Sequence, residues 1–474
     1  MLIHREPSAV SRSCDPKCRL TADGLRLTAY DSRDMELDTA AVARWLEPLA
    51  RRPEEIAEVF TELRREITVA WRDGEIREAR ESLTEGLSAR WKGISGQRLV
   101  FVSRCDEEAA RQAVRAVQKE RGLSPLPVKP SRAGEESAGP VWLDADRWIK
   151  RLSALFARHA PRHRFQWTLS DVARQVIPAR GAACAFARRL MSVQGTFTAA
   201  SRRGDETRAF AFHAPVGEST AEELRVALAG AGQPRDTATP CGEGETDVVL
   251  AAGCAAVLFH EILSHPLEAG AESPLSGLEQ ARLAPAEVEV RDDATRLDLF
   301  GGYERDDEGG VPRAVKLLDA GRLSGRLTDR AHASAGASSN GHARRAGPQD
   351  PPLPRGSNVL VAPGHSAADE ILRRLSSGLW IEQIDGGSVE LASGRFRLRF
   401  PRARRVRRGR MADECGAGVL SGEILPVLRS IDPGIGRDVR AYRALAWCAR
   451  GGQVVPVQGA APDVLVRGFS ARPT

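Results

Sequence analysis

The apolar positions of this chain change period several times, and each change marks an element. Asp38 stands as a helix N-cap, and Ala40 to Leu49 follow with apolar residues at helical spacing and Pro53 beyond. From Ile56 to Trp71 the period shortens towards two, as in Val59-Phe60-Thr61-Glu62-Leu63 and Ile67-Thr68-Val69, which predicts a strand. Asp73-Gly74 is a two-residue hairpin signal, so Glu75 to Leu83 reads as the returning strand. Leu87 to Trp91 and Leu99 to Val102 read as two more short strands, and Asp106 as the cap of a helix running to Glu120.

Gly122 to Pro140 is rich in Pro, Ser and Gly and reads as a long loop. An amphipathic helix is predicted over Trp142 to His159, strands over 163–213, and a helix over Glu218 to Gly230. Gln233 to Glu245 is polar, Gly-rich and Pro-rich, and is the best domain boundary. Beyond it the pattern returns to strands: Val288 to Arg291, a hairpin over Leu317 to Leu323, Val359 to Val361, Leu379 to Ile384, Val389 to Leu391 and Phe396 to Phe400. Helices are predicted over Ala367 to Leu375 and Val419 to Leu428. The expected fold class is α+β. Residues 1–35 form a tail, 36–232 an N-terminal domain of helices on antiparallel strands, and 233–474 a strand-rich C-terminal domain with one embedded helix.

That embedded helix carries the candidate chemistry. Val248 to Gly270 is an apolar run that delivers His260, Glu261 and His265 in close succession. Two imidazoles can bind zinc, and a neighbouring carboxylate can take a proton from the water that the metal activates. The histidines are five apart, however, and not four. On a straight helix that rotates the second by about 140° from the first, so one metal can meet both only where the helix ends or distorts. Pro266 supplies a break, because the residue before a proline is pushed out of the helical region. His260 and Glu261 are therefore expected on the last regular turn, with His265 swinging back from the exit. Two histidines leave a catalytic zinc one protein ligand short.

Composition changes this picture little. The 474 residues are 42% hydrophobic and 28% charged, which excludes disorder as the main state. The net charge of +6 is small for the length. Only six of the 69 basic residues are lysine, and arginine is scattered along the whole chain, which argues against a focused nucleic-acid surface. Eight widely spread cysteines make no disulfide framework, and Cys14 and Cys18 have no second pair with which to hold a metal. The N-terminus lacks the apolar core of a signal peptide, and Val248 to Phe259 is too short to span a bilayer. A cytoplasmic protein without membrane contact is the expectation.

Other motifs are absent or weak. No Lys is followed by Ser or Thr, so there is no Walker A loop, and no Gly-x-Ser-x-Gly elbow occurs. His159 and His163 are separated by Pro161, which argues against a helical metal pair and for solvated side chains. Arg402 to Arg410 reads as a solvated strand face continuing from Phe396-Leu398-Phe400.

The separate blocks combine into a known pattern. His260-Glu261-Ile262-Leu263-Ser264-His265 with Leu267-Glu268, Tyr303 with Asp306-Asp307-Glu308-Gly309, and Pro354-Arg355-Gly356-Ser357-Asn358 follow one another in the chain. Gly378-Leu379-Trp380-Ile381, Ser393-Gly394-Arg395-Phe396 and Cys448 with Gly452-Gln453-Val454-Val455-Pro456-Val457 complete the series. In this order they resemble the TldD/PmbA family of metallopeptidases, also called modulators of DNA gyrase, over roughly residues 38–468. The resemblance implies a zinc site made by His260, His265 and Cys448, with Glu261 as general base and then acid. Glu268 is placed to accept the outer N–H of a ligand histidine.

The same resemblance implies hydrolysis of unfolded or flexible peptides bound in extended form, and a homodimer or a heterodimer with a homologous subunit. It assigns the C-terminal domain to peptide hydrolysis and the N-terminal one to substrate access or assembly. Two other readings compete: a non-catalytic partner subunit of such a complex, and a nucleic-acid-associated regulator. Retention of all four site residues favours the peptidase. The chain departs from the family pattern at Ser264, where Gly is usual, in the tail before residue 36, and at Phe469 to Thr474, which lacks a Gly-rich ending.

Overall fold

The computed structural model describes residues 37–123, 142–159, 163–201, 204–231, 239–333 and 338–474. The expected tail, Cys14 and Cys18, most of the expected loop before Pro140, and residues 233–238 of the expected boundary lie outside the described residues. The fold is α+β, as the pattern predicts.

The N-terminal part is built on six antiparallel strands: β1 (Ile56–Arg72), β2 (Glu75–Gly93), β3 (Gly96–Val102), β4 (Arg164–Pro178), β5 (Cys184–Ser201) and β6 (Gly204–Pro215). They lie in the order β3-β2-β1-β4-β5-β6. Asp73 and Gly74 turn the chain between β1 and β2 with φ of 53° and 85°, as a two-residue hairpin of this handedness requires. β2 is a correction: the returning strand Glu75 to Leu83 and the short strand Leu87 to Trp91 are one strand. It runs unbroken through Leu87 to Trp91, because its polar middle stays paired with β1 from Arg72–Glu75 to Ile56–Lys92.

Four helices cover one face of this sheet: α1 (Thr39–Leu46), α2 (Glu107–Glu120), α3 (Ala145–His159) and α4 (Thr220–Ala231). Asp38 and Asp106 cap the first two, each side chain accepting from a backbone N–H three residues on, at 2.9 and 2.7 Å. Alternate strand residues such as Val59, Leu87 and Trp91 pack on α1 and α2, and Ile67, Trp167, Met191 and Val193 on α3 and α4. His163 is not solvated, as its polarity had suggested. It is buried and stacks on Phe197 at 3.8 Å, because it begins the strand that runs under α3.

The opposite face of the sheet turns towards the C-terminal part and carries charge. Arg90 bridges Glu58 and Glu308 at 3.0 and 2.7 Å, Arg174 meets Asp307 at 2.7 Å, and Arg345 reaches Glu58 at 2.8 Å. Asp307 and Glu308 thus help to join the two parts of the chain, through ion pairs from which water is excluded.

The C-terminal part holds two larger sheets. In one, β7 (Gly244–Leu250) lies between Val464–Pro473 and Gly378–Ile381 in a mixed sheet of eight strands, which Gly386–Glu390 ends at one edge. In the other, a sheet of six strands, Asn358–Val361 and Gln458–Ala461 pair in parallel next to the edge strand Arg440–Ala441. Directly after β7 the chain enters α5 (Ala255–Phe259), which lies on the six-stranded sheet. A Cβ at Gly459 would stand 2.6 Å from the Ala256 side chain, so the close approach of helix and strand requires glycine there. Val248, Leu250, Leu258, Phe259, Ile262, Leu420 and Val464 share one core.

Two further expectations are corrected here. Val419 to Leu428 is not one helix: Gly418–Glu423 is a strand paired with Arg395–Phe400 and Val464–Pro473, and only Ile424–Arg429 is helical. Arg402 to Arg410 does not extend Phe396–Phe400. The chain turns after Phe400, and Ala403–Arg407 pairs instead with Gly378–Ile381 and Arg410–Cys415, with four strands between it and Arg395–Phe400. Among the described residues no helix is long and apolar enough to cross a membrane.

Candidate metal centre

The geometry of the site begins with an irregular helix. α5 is regular only to Phe259. His260–Ser264 then form a π-turn, and the backbone N–H of His265 donates to the carbonyl oxygen of His260, five residues back. A π-turn adds one residue per turn, which cancels the rotation that separates residues five apart on an α-helix. His260 and His265 therefore stand on the same side, their ring centroids 4.7 Å apart. This corrects the expected exit from the helix. His265 keeps helical angles (φ −57°, ψ −47°) despite preceding Pro266, and His265–Leu267 form a 3₁₀ turn. Pro266 has no N–H to extend the ladder, so the widened turn ends there.

Cys448 comes from the strand Trp447–Arg450, half of a two-stranded ribbon with Gln453–Pro456. Its Sγ lies 3.3 Å from Nε2 of His265. One ligand atom from each of His260, His265 and Cys448 lies within 4.8 Å of the other two, and this is the one such group among the described residues. Tetrahedral zinc, with bonds of about 2.0–2.1 Å to nitrogen and about 2.3 Å to sulfur, draws its donors into a cluster of this size. Nδ1 of His260 is buried with no hydrogen-bond partner, and the His260 ring interacts with the Cys448 sulfur. Two imidazoles and a thiolate therefore fit zinc.

The three groups shift one another. Burial alone would raise the Cys448 thiol, but His260 and His265 outweigh it and hold the group well below its ordinary range, in the thiolate form that ligates a metal. Burial would lower both histidines, and the neighbouring sulfur instead raises them. Glu261 is raised chiefly by burial, opposed in part by the two histidines.

Several groups fix these side chains. Glu268 is fully buried, and its Oε1 lies 3.6 Å from Nδ1 of His265 while accepting from the Gly356 N–H at 3.1 Å. Its other oxygen pairs with Arg450. Burial would raise Glu268, but His265, Arg450 and Arg355 hold it down. Arg355, inaccessible to solvent, donates from Nη2 to Sγ of Cys448 at 3.1 Å and to its carbonyl oxygen at 2.8 Å. Sequence reasoning assigned Arg355 no role. The Pro354-to-Asn358 block that contains it was its one signal.

Ser264 adopts helical angles (φ −60°, ψ −57°) that any residue reaches, so its Cβ does not strain the turn. Its hydroxyl donates to Oδ2 of Asp292 at 3.3 Å. Asp292 also accepts from the Ser357 backbone N–H at 3.0 Å and lies 3.3 Å from Nε2 of His342.

His260, Glu261, His265 and Cys448 line a cavity of about 410 Å³. Its walls are the strand Gly386–Glu390 on one side and Trp447–Arg450 on the other. Gly386–Glu390 pairs with Arg395–Phe400 along one side only, so its free edge belongs to the sheet's margin. A Cβ on Gly387 would stand 2.6 Å from the Glu261 carboxylate, so a side chain there would displace the acid.

Fold and site together define an α+β chain with a histidine–histidine–cysteine cluster suited to a transition metal, set in a cavity beside a buried carboxylate. Residues 243–472 match the PmbA/TldA metallopeptidase C-terminal domain, so this half of the chain belongs to the PmbA/TldD family. It is 32% identical over 235 residues to a metalloprotease of Methanothermobacter thermautotrophicus, covering 48% of this chain and 51% of that one. It is 25% identical over 231 residues to the zinc metalloprotease TldD homolog of Saccharolobus solfataricus, covering 47% and 51%. The chain thus spans about half the length of these relatives. The structure of TldE from Thermococcus kodakarensis superposes with a TM-score of 0.67 at 15% identity, over 91% of this chain and all of that one. This likeness is one of fold.

Proposed function

We propose that the chain is a zinc-dependent peptidase acting on unfolded or flexible peptides. The observation that carries this reading is the convergence of His260, His265 and Cys448 on one point in the wall of a cavity that also holds Glu261. In this reading the three side chains hold the metal, and Glu268 and Arg355 keep His265 and Cys448 in place. A zinc ion so held supplies Lewis acidity and lowers the pKa of a water by several units.

The chain's own residues do the rest. Glu261, its pKa raised by burial, takes a proton from the attacking water and returns it to the departing amine. The free edge of Gly386–Glu390 lies beside Glu261, and an extended peptide pairing with it would be held through its backbone, with little regard to sequence. Residues 36–232 would then govern access or assembly, and 233–474 the chemistry. A homodimer, or a heterodimer with a homologous subunit, is proposed, as is a cytoplasmic location. The existence of TldE as a separate protein of the same fold supports the heterodimer. Direct nucleic-acid binding is not part of this reading.

The test is the metal content of wild type and Cys448→Ala, with cleavage of casein or an unstructured peptide by wild type and Glu261→Gln. About one zinc per chain, lost with Cys448, and cleavage lost with Glu261 while zinc stays bound, would support the peptidase. Zinc without cleavage would leave the non-catalytic partner subunit. Absence of zinc from the wild type would sink the reading.

A further inference from the structure

A second cavity, of about 280 Å³, lies on the face of the N-terminal sheet turned towards the metal centre. Its floor is made of cross-strand rungs from β1, β4 and β5. Glu66 lies opposite Ser170, Thr68 opposite Thr168 and then Ser192, and Gln166 opposite Gln194. All of these project on the face away from the helices, as their buried odd-numbered neighbours Ile67, Trp167 and Val193 show. At one end the floor turns apolar with Leu190 and Phe300. There Trp447 packs edge-to-face on Phe300 at 5.2 Å, with 40% of its surface exposed. Trp447 lines both this groove and the metal cavity, next to Cys448 in sequence.

We propose that this groove is a second peptide subsite, continuous with the metal cavity past Trp447, that holds an extended segment of the substrate remote from the bond to be cut. This rests on the peptidase reading above. Hydroxyl and carboxamide side chains both donate and accept, so rows of Thr, Ser and Gln can pair with backbone N–H and C=O groups of any sequence. Three strands at about 4.8 Å spacing give a floor about 10 Å across, room for roughly three extended residues at about 3.3 Å each. Trp447 and Phe300 offer a flat apolar contact to the side chain that passes between the two cavities. Glu66 is the acid of the floor, with Arg64 at 3.7 Å and the Ser170 hydroxyl at 3.4 Å.

The test compares hydrolysis of unstructured peptides of four and twelve residues by wild type and by Gln166→Ala/Gln194→Ala. The wild type is expected to show a lower KM for the longer peptide, and the double variant to lose about tenfold of that advantage, with kcat for the two peptides moving together. A length advantage of the same size in both proteins overturns the proposal. So does a variant that changes only the oligomeric state by light scattering, since the face would then be an interface between copies. Binding of a fluorescein-labelled twelve-residue peptide to Glu261→Gln separates this from the hydrolase reading. About tenfold weaker binding on adding the two groove substitutions supports the subsite even where no cleavage occurs, and unchanged affinity overturns it.

Discussion

Nη2 of Arg355 lies 3.1 Å from the sulfur of Cys448 and 2.8 Å from its carbonyl oxygen, deep in the protein. One guanidinium thus fixes both the side chain and the backbone of a residue that sits alone on its ribbon, far in sequence from the two histidines. Removing the guanidinium should loosen the sulfur without touching a ligand. Arg355→Lys keeps the charge but loses the planar guanidinium that reaches Cys448 through Nη2 and the Gln453 carbonyl oxygen through Nη1 at 3.4 Å, and is expected to weaken zinc binding by about 10- to 100-fold. Chelator competition on purified protein measures it, and an unchanged zinc affinity would show that Arg355 only fills space.

Gly387 offers a way to disturb Glu261 without altering it. An added Cβ would stand 2.6 Å from the carboxylate. Gly387→Ala should therefore retain zinc and lower kcat, by up to the roughly 10²- to 10⁴-fold that a positioned acid–base group supplies. Wild-type kcat in this variant would show that the carboxylate accommodates the methyl group without losing its position.

Ser264 and Gly356 are a matched pair. A Cβ on Gly356 would lie 2.2 Å from the Ser264 hydroxyl, but no closer than 3.3 Å to Asp292 and 3.4 Å to His260. Gly356→Ala is expected to destabilise by about 1–3 kcal/mol through overpacking. Ser264→Gly in the same chain should restore much of that loss. A double-mutant cycle by urea denaturation reads the coupling directly, and additive effects would place the strain elsewhere.

The buried ion pairs between the two parts of the chain should be costly to break. Arg90 serves both Glu58 and Glu308, so Arg90→Met leaves two carboxylates buried with less compensation. A loss of about 3–5 kcal/mol is expected. Differential scanning calorimetry would show it as a large fall in Tm, and a shift of under a degree would contradict it.

Acid should act through the same cluster. Burial by itself would raise the Glu58 carboxyl, but Arg330, Arg90 and Arg345 outweigh it and hold the group down to about 2. A carboxylate with a lower pKa folded than unfolded adds stability that is present above its unfolded value of about 4.3. That stability is lost as pH falls towards the folded value. The urea midpoint should therefore drop between about pH 5 and pH 2, and drop less steeply in Glu58→Gln. Parallel curves for the two proteins would assign acid unfolding to other groups.

Much of the structure follows from local sequence. Asp38 and Asp106 cap the helices expected of them, Asp73-Gly74 makes its hairpin, and alternation along Ile56 to Trp71 gives a strand, because each depends on residues only a few positions apart. His260, Glu261 and His265 were visible for the same reason, and Cys448 and the order of the remaining blocks through family resemblance. Where local period was ambiguous, tertiary pairing decided. The polar middle of β2 is a strand because β1 lies beside it, and Val419 is in a strand because two neighbours flank it. The π-turn lies within the close-packed core around α5 and aims both histidines one way, which spacing alone does not describe. Arg355 on Cys448, Ser264 against Gly356 and the ion pairs through Asp307 and Glu308 join residues from distant parts of the chain. No local pattern encodes them, since their stability comes from burial and complementary charge that exist only once the sheets have packed.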